Sequence, residues 1–374
     1  MLTQGKCGVN RRACLARLGQ GLALGAAGRT GGAAEPAGAV GGFSGAAVGL
    51  TGAADGLTGA ADGLFSPAAG PAIPPLALAG PAPLRLAAGV WWWPGAAGEA
   101  QAANRGRVSA LLAVRQDAQR WCLGSGPSPA WGRAWRGELQ QRLGGVPTAV
   151  ISPWARPELV LGVAGLGPVQ HWAHADVARA MAAQCAGCED RLRQRLGPAA
   201  ADLGPAPAAR APSHRLHGEQ GRLGPWDWWR AWRSEASCVL VWRLRQGPWW
   251  SAPGLLWGDG PPDLRDADLR ILQASLAWLA RRVAVDGPQA VLLPEQGPPM
   301  LQSGLAASQA YLRGLAAAVL ARQAQGGLET DAAGHWPGLA ADWAGHARHA
   351  LNWQRAWRQL EDEGLRASPE AAGT

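Results

Sequence analysis

The sequence predicts a layered α/β fold for the part of the chain that follows residue 88. There, short apolar or β-branched segments typical of strands alternate with longer stretches of helical periodicity. Such alternation favours packed layers of sheet and helix over an all-helical or an all-β fold. The chain has 374 residues, which is enough to bury a full hydrophobic core.

The first 30 residues have the features of a targeting segment. The pair Arg11-Arg12 precedes a mildly apolar stretch at 13–27. Positive charge ahead of a short apolar stretch is typical of secretory signals, and paired arginines favour the twin-arginine route. The stretch is too short and too interrupted to span a bilayer. We therefore predict a signal segment at 1–30, a periplasmic or otherwise exported protein, and no membrane span; an amphipathic helix in a disordered tail is the alternative.

Residues 31–88 are predicted to form a linker that is rich in Gly, Ala and Pro. A seven-residue unit, Thr-Gly-Ala-Ala-Asp-Gly-Leu, occurs at 51–57 and again at 58–64, after a related copy at 44–50. Two glycines in each unit oppose helix formation, so the heptad spacing does not indicate a coiled coil. The composition instead indicates a flexible segment that is disordered and dispensable for folding.

Predicted strands and helices alternate along the rest of the chain. Strands are predicted at Val108–Val114, Ala149–Ser152, Val239–Leu244 and Gly254–Trp257. Helices are predicted at Trp131–Leu143, Asp176–Leu196 and Asp266–Val283. This order favours sheets packed in one α/β sandwich with helices on the outer faces.

The composition argues against a nucleic-acid partner. The net charge is +8, and a basic chain can bind nucleic acid. However, the arginines are scattered, and no run of five or more basic residues occurs. The 21 tryptophans are expected to pack in the interior. Outside the signal segment four cysteines remain, Cys122, Cys185, Cys188 and Cys238, and an exported protein permits disulfides among them.

Several motifs occur in the order of a known family. They are Asn104–Gly106, Gly124–Ser128, Val150–Gly162, Ser234–Trp242, Gly254–Asp259 and Val291–Pro298. The ordered series resembles the metallo-β-lactamase-fold hydrolases. The resemblance implies an αββα sandwich at 89–300 with a helical C-terminal extension at 301–374. Within the extension, Tyr311–Arg313 and His349–Asn352 resemble an exported subgroup of the family that is associated with quinoprotein systems.

The resemblance also indicates that the metal-binding positions of this family have changed. The family's histidine positions hold Trp154, Arg156, Leu159, Ser234 and Gln296. Glu158 stands at an aspartate position, and Asp259 keeps the residue type of the family. Tryptophan and leucine cannot ligate a metal, and an arginine adds positive charge where a cation should sit. We therefore predict no zinc, no hydrolase activity, and a pseudoenzyme that binds a small molecule or an exported partner protein.

Three alternatives remain at this stage. The first is a hydrolase of the same family that binds zinc through Glu158, Asp259 and His174. The second is a structural zinc site made by His171 and His174 with Cys185 and Cys188, but a helix between the pairs would separate them by ~15 Å. The third is a gene under little constraint, which the excess of tryptophan and the near-identical repeats suggest.

Overall fold

The computed structural model describes residues 80–205 and 208–367. The signal segment predicted at 1–30, and the predicted linker up to residue 79, lie outside the described residues. Strand β1 (Leu84–Ala87) pairs with β2 (Val90–Trp93) in an antiparallel hairpin. The linker assignment of residues 84–88 is therefore wrong, because residues 84–87 form the edge strand of the first sheet and residue 88 lies in the hairpin turn.

The first sheet has seven strands, arranged in chain order from β1 to β7. The further strands are β3 (Leu111–Gln116), β4 (Gln119–Leu123), β5 (Ala149–Ser152), β6 (Gln170–His174) and β7 (His214–Leu216). Strands β1 to β4 are antiparallel, whereas β4 to β7 are parallel. Parallel neighbours need crossover connections, and these contain α1 (Pro129–Leu143), the short α2 (Pro157–Val160) and α3 (Ala175–Leu196).

The second sheet has five strands in the order β12-β11-β10-β9-β8. They are β8 (Gln220–Leu223), β9 (Trp226–Ser234), β10 (Ser237–Leu244), β11 (Trp249–Ser251) and β12 (Val291–Leu293). Only the β11–β12 pair is parallel within this sheet. Helix α4 (Leu269–Val283) makes the connection between these two strands and packs against β9.

The C-terminal part of the described chain is helical. It contains α5 (Gln302–Ala324), α6 (Ala341–Ala344) and α7 (Ala347–Ala367). Helix α5 packs on α4, and α7 packs on α5, so these helices extend the helical layer that covers the second sheet. The predicted fold class, an α/β sandwich with a helical C-terminal extension, is confirmed. No helix among the described residues is long and apolar enough to cross a membrane.

Two backbone hydrogen bonds tie the two sheets together. The Leu240 N–H of β10 donates to the Pro153 carbonyl just after β5, at 2.9 Å. The Ala110 N–H, just before β3, donates to the Glu295 carbonyl just after β12, also at 2.9 Å. The second bond explains why β3 begins at Leu111 rather than at the predicted Val108. The segment ahead of Leu111 bonds to the other sheet.

One predicted strand is absent. Residues 254–257 form a turn after β11, because Gly254 has a φ of +82° and the Leu255 and Leu256 N–H groups both donate to the Ala252 carbonyl. The other predicted strands and helices are present with small shifts at their ends. Tryptophans fill the interior, as expected. The largest fully buried side chains include Trp92, Trp93, Trp135, Trp226, Trp242, Trp257 and Trp353.

Candidate functional site

A cleft of about 620 Å³ opens where the chain leaves β5 and β9. Its floor is formed by the segment after β5 and by the turn that joins β9 to β10, namely Trp154, Ala155, Arg156, Pro157, Glu158, Ser234, Ala236 and Ser237. One wall is a stripe of α3, with Gln184, Cys188, Arg191, Leu192 and Arg195. The opposite wall combines the loop at 263–268 with Arg355 and Gln359 of α7.

Local sequence determines how the floor is presented. Pro157 occupies the first turn of α2, where the missing N–H costs nothing, and Arg156 is the residue that precedes this helix. Beyond the end of α2, Gly162 packs against the loop after β4, and its N–H donates to the Gly126 carbonyl at 2.9 Å. A Cβ atom at Gly162 would lie 1.9 Å from the Ser125 carbonyl oxygen. A glycine is therefore required for α2 to sit beneath the cleft.

Arg156 is the centre of a buried ion-pair network in the floor. Its Nη1 donates to Glu295 Oε1 at 2.7 Å, and its Nε donates to Glu158 Oε2 at 3.1 Å. Glu295 also accepts hydrogen bonds from Ser109 Oγ and the Gly254 N–H, both at 2.8 Å. Burial alone would lower the pKa of Arg156, but the two carboxylates raise that pKa above its ordinary value. Arg156 is thus a permanent cation in the floor.

A second guanidinium lies beside the first. Arg233 is fully buried, and it donates to the carbonyl oxygens of Gly254, Asp263 and Arg265. The guanidinium carbon of Arg233 lies 4.6 Å from the centre of the Trp154 ring, and that of Arg156 lies 5.1 Å from it. Burial lowers the pKa of Arg233 to about 10, so this side chain remains charged at neutral pH.

A third arginine contacts Gln296 and Asp259, two further positions that the sequence resemblance had singled out. Arg348 of α7 donates to Gln296 Oε1 at 2.9 Å and to the Pro261 carbonyl at 2.8 Å. The same guanidinium lies 3.5 Å from Asp259 Oδ1 and 4.5 Å from the Trp257 ring. Neither Gln296 nor Asp259 lines the cleft. Asp259, predicted as a residual metal ligand, therefore has an arginine as its partner.

The donor set in the floor does not fit a zinc ion. A dinuclear site needs several imidazole nitrogens and a carboxylate held at short distances. Here Leu159 is fully buried, and its carbonyl accepts from Ser125 Oγ at 2.9 Å. Trp154 offers only a ring face, and the Glu158 carboxylate is already bonded to a guanidinium. A divalent cation in this floor would meet the positive charge of Arg156.

His174 lies apart from the other residual metal candidates. It ends β6 and caps α3, where its Nδ1 accepts from the Asp176 N–H at 3.1 Å. Its Nε2 donates to the Gly218 carbonyl at 2.9 Å. Among the described residues, the potential ligands grouped with it are Asp176 and Cys238, not Glu158 or Asp259. The alternative ligand set therefore does not assemble around His174.

The His-x-x-His and Cys-x-x-Cys pairs also lie apart. His171 Nε2 shares a hydrogen bond of 2.8 Å with Ser152 Oγ, and burial lowers the pKa of His171 to about 4. Cys185 is buried in α3, whereas Cys188 faces the cleft. All four cysteines in the described part of the chain are free thiols.

The walls of the cleft carry charges that are less completely paired. On α3, the Nη2 of Arg191 donates to Cys188 Sγ at 2.9 Å, and no described carboxylate lies within 4.0 Å of this guanidinium. Arg195 lies 3.6 Å from Glu99, and both side chains are largely exposed. On the other wall, Arg355 donates to Asp263 Oδ1 at 3.1 Å. The α3 wall therefore presents two arginines toward the cleft.

Sequence reasoning missed the partners of Arg156 and Trp154. Glu295 is 139 residues away from Arg156, and Arg233 and Arg348 come from other elements. One signal was present in the sequence, since Arg233 adjoins Ser234 and Glu295 adjoins Gln296. Both charged residues thus adjoin positions that the sequence resemblance had singled out.

No family model matches the chain, and no curated protein matches it. Among solved structures, the chain is similar to a metallo-β-lactamase from Hirschia baltica, with 13% identity and a TM-score of 0.48 over 62% of this chain and 96% of that one. A metallo-β-lactamase from Pontibacter korlensis is 15% identical, with a TM-score of 0.48 over 62% of this chain and 98% of that one. The metallo-β-lactamase FIM-1 from Pseudomonas aeruginosa, in a mono-zinc form, is 16% identical, with a TM-score of 0.48 over 62% of this chain and 95% of that one. Identities this low transfer no residue's role, so the site is interpreted from its own contacts.

Proposed function

We propose that this chain is an exported metallo-β-lactamase-fold protein that has lost zinc hydrolysis and acts as a binding or accessory protein. One observation carries the proposal. Arg156 stands in the cleft floor with Glu158 and Glu295 at 3.1 and 2.7 Å. A fixed guanidinium satisfies both carboxylates, and neither a metal nor a metal-bound water is needed to balance their charge. Export rests on the paired arginines of the N-terminal segment.

The cleft walls favour a small molecule with an anionic group. Arg191 and Arg195 are one helical turn apart on α3, so their side chains lie on the same face of the helix. The planar guanidinium presents several N–H groups that match a carboxylate or a phosphate. Gln184 and Gln359 add neutral polar groups from the two walls. The proposed ligand is therefore a small carboxylate or phosphate compound rather than an extended polymer.

Metal content and hydrolysis test the loss of catalysis together. After dialysis against a chelator and exposure to zinc, we expect the full chain to bind no zinc that depends on Glu158 or Asp259. We also expect no cleavage of β-lactam, thioester or phosphodiester substrates above the rate without protein. Substituting Arg156→His should not create activity, because affinity depends on a complete set of ligands in fixed geometry.

The alternative function makes the opposite claim. A metal-dependent hydrolase would hold near one zinc per chain and would lose both zinc and activity in Glu158→Ala and Asp259→Ala. The matched control is Asp117→Asn, which removes an exposed carboxylate outside the cleft lining, at a left-handed φ of +53° that asparagine tolerates. Loss of zinc and of activity in the first two variants but not in the control would contradict the proposed function.

Ligand binding is tested with simple probes. Succinate, citrate and inorganic phosphate are added to the protein, and the neutral compound succinamide serves as the comparison. We expect the charged probes to raise the melting temperature and to shift NMR signals of the tryptophan indoles, since Trp154 lies in the floor. An equal response to succinamide would mean that charge does not direct recognition.

A further inference from the structure

Three side chains with different ligand atoms meet where α3 begins. The atoms are an imidazole nitrogen of His174, a carboxylate oxygen of Asp176 and the Cys238 Sγ, and they all lie within 4.8 Å of one another. His174 comes from the end of β6 in the first sheet, whereas Cys238 comes from the start of β10 in the second. None of the three lines the cleft. The cluster is therefore separate from the site described above.

The surroundings orient His174 as a ligand. Its Nε2 donates to the Gly218 carbonyl at 2.9 Å, which leaves Nδ1 unprotonated, and in this structure Nδ1 accepts from the Asp176 N–H at 3.1 Å. That Nδ1 lies 3.5 Å from Asp176 Oδ2, close to the separation of two ligands around a tetrahedral zinc ion. Histidines that bind metals commonly donate their other ring N–H to a backbone carbonyl in this way. Trp228 packs edge-on against the ring at 5.8 Å and limits its rotation.

Burial and ligand type favour a borderline-soft cation. His174 and Cys238 are each 2% exposed, so the site has an apolar side, while Asp176 is partly open to solvent. A nitrogen, a thiolate sulfur and a carboxylate oxygen are all zinc ligands, and a solvent-facing position leaves room for a water as the fourth. A hard cation such as Mg²⁺ would gain little from the sulfur.

Two arginines already pair with Asp176, but their side chains are 21% and 76% exposed, so water screens their charge more than that of the buried Arg156. Arg230 pairs with Asp176 Oδ2 at 2.6 Å and also with Glu219, while Arg179 pairs with Asp176 Oδ1 at 2.8 Å. On metal binding, Arg230 keeps Glu219 as a partner when Asp176 Oδ2 turns to the cation. His174 Nδ1 exchanges its bond from the Asp176 N–H for the bond to the metal. The Cys238 thiol loses its proton to the solvent, because the thiolate is the form that ligates.

We propose that His174, Asp176 and Cys238 form a zinc site that joins the two sheets at the start of α3. The site binds one divalent cation through one ligand atom from each residue. It is distinct from the cleft, and it does not depend on the proposed function. Cys185 and Cys188 are not part of this site, because they lie farther along α3 and are not grouped with its ligand atoms.

Cobalt(II) is the probe, because a cobalt–thiolate bond gives a charge-transfer absorption in the near ultraviolet that zinc does not. The full chain is freed of metal with a chelator under reducing conditions and is then titrated with cobalt. We expect the absorption to saturate at about one cobalt per chain and to disappear when zinc is added. Cys238→Ser should abolish the band, and Asp176→Asn should weaken cobalt affinity at least tenfold.

Cys188→Ser is the matched control, since it removes a thiol from α3 but leaves the proposed ligands intact. We expect this variant to keep the band and the stoichiometry. Circular dichroism of each variant without metal establishes that the fold is retained. Absence of a charge-transfer band in the parent chain would overturn the proposal. A band that persists in Cys238→Ser would also overturn it, because the thiolate would then come from another cysteine.

Discussion

The floor and the walls of the cleft use arginine in different ways. In the floor, Arg156 and Arg233 are buried, and their N–H groups are directed at carboxylates or backbone carbonyls of the protein itself. On the α3 wall, Arg191 and Arg195 are exposed and reach no described carboxylate closer than 3.6 Å. The same residue type thus stabilises the fold in one region and remains open to an external partner in the other.

This difference separates stability from binding. A buried charge whose partner is removed loses its compensation, whereas an exposed charge is solvated by water in either case. Floor substitutions should therefore change the free energy of unfolding, and wall substitutions should change ligand affinity alone. Variants of the two regions test whether the separation holds.

The largest effect on the free energy of unfolding is expected at Glu295, whose carboxylate balances the charge of Arg156 in the floor. Glu295 is 1% exposed and accepts from Arg156, Ser109 and the Gly254 N–H. Substituting Glu295→Gln leaves the buried guanidinium with one carboxylate fewer, and we expect a loss of about 3–5 kcal/mol in the free energy of unfolding. Urea unfolding followed by tryptophan fluorescence measures it.

The matched control removes an exposed carboxylate that also pairs with an arginine. Glu99 is 57% exposed at its side chain and pairs with Arg265. Glu99→Gln should change the free energy of unfolding by less than about 1 kcal/mol. Equal effects of the two substitutions would show that the floor network contributes no more than a surface ion pair.

The contrast also explains how far the sequence could predict this molecule. Strands such as β5 and helices such as α1 have apolar periodicity within a few residues, so local pattern was sufficient to locate them. Residues 254–257 were misassigned because their apolar side chains are buried in a turn, and burial in a turn and in a strand gives the same pattern. The edge strand β1 was missed because its residues are largely exposed.

The candidate site was predictable only in part. The sequence placed Trp154, Arg156 and Glu158 in one segment, and the structure brings them into the floor together with Ser234. Their ion-pair partners come from segments far along the chain, and no spacing rule connects them. The same is true of Cys238, which meets His174 because β10 packs against α3, the helix that His174 caps. The predictions about metal and catalysis stay predictions.

A smaller effect on the free energy of unfolding, which depends on pH, is expected at Asp263, where the floor meets the wall formed by the loop at 263–268. Burial would raise the pKa of Asp263, but Arg265, Arg233 and Arg156 hold that pKa below its ordinary value. The unfolded chain therefore takes up the proton at a higher pH than the folded protein. The stabilisation by Asp263 is complete above a pH of about 4 and is lost as the pH falls through the lowered pKa.

Asp263→Asn tests this sign. We expect the variant to be less stable at neutral pH and to lose less stability than the parent as the pH falls below about 4. Urea unfolding at a series of pH values provides the measurement. Asp117→Asn is the control, because Asp117 is exposed and asparagine tolerates its left-handed φ of +53°. If the free energy of unfolding changes with pH in the same way in the parent and in Asp263→Asn, Asp263 does not contribute to this stabilisation.

The smallest effect on stability, and the largest on binding, is expected on the α3 wall. Arg191→Ala and Arg195→Ala remove exposed charges, so each should change the free energy of unfolding by no more than about 0.5 kcal/mol. If these guanidiniums hold the anionic group of a ligand, the double variant should weaken succinate or citrate binding at least tenfold, because two charge-assisted hydrogen-bonding groups are lost.

Arg133→Ala is the control for loss of positive charge, because Arg133 is an exposed residue of α1 outside the cleft. Titration calorimetry on the parent, the double variant and Arg133→Ala measures affinity, and urea unfolding of the same proteins and the two single variants measures stability. Unchanged affinity in the double variant, or an equal loss in Arg133→Ala, would mean that the wall does not select the ligand.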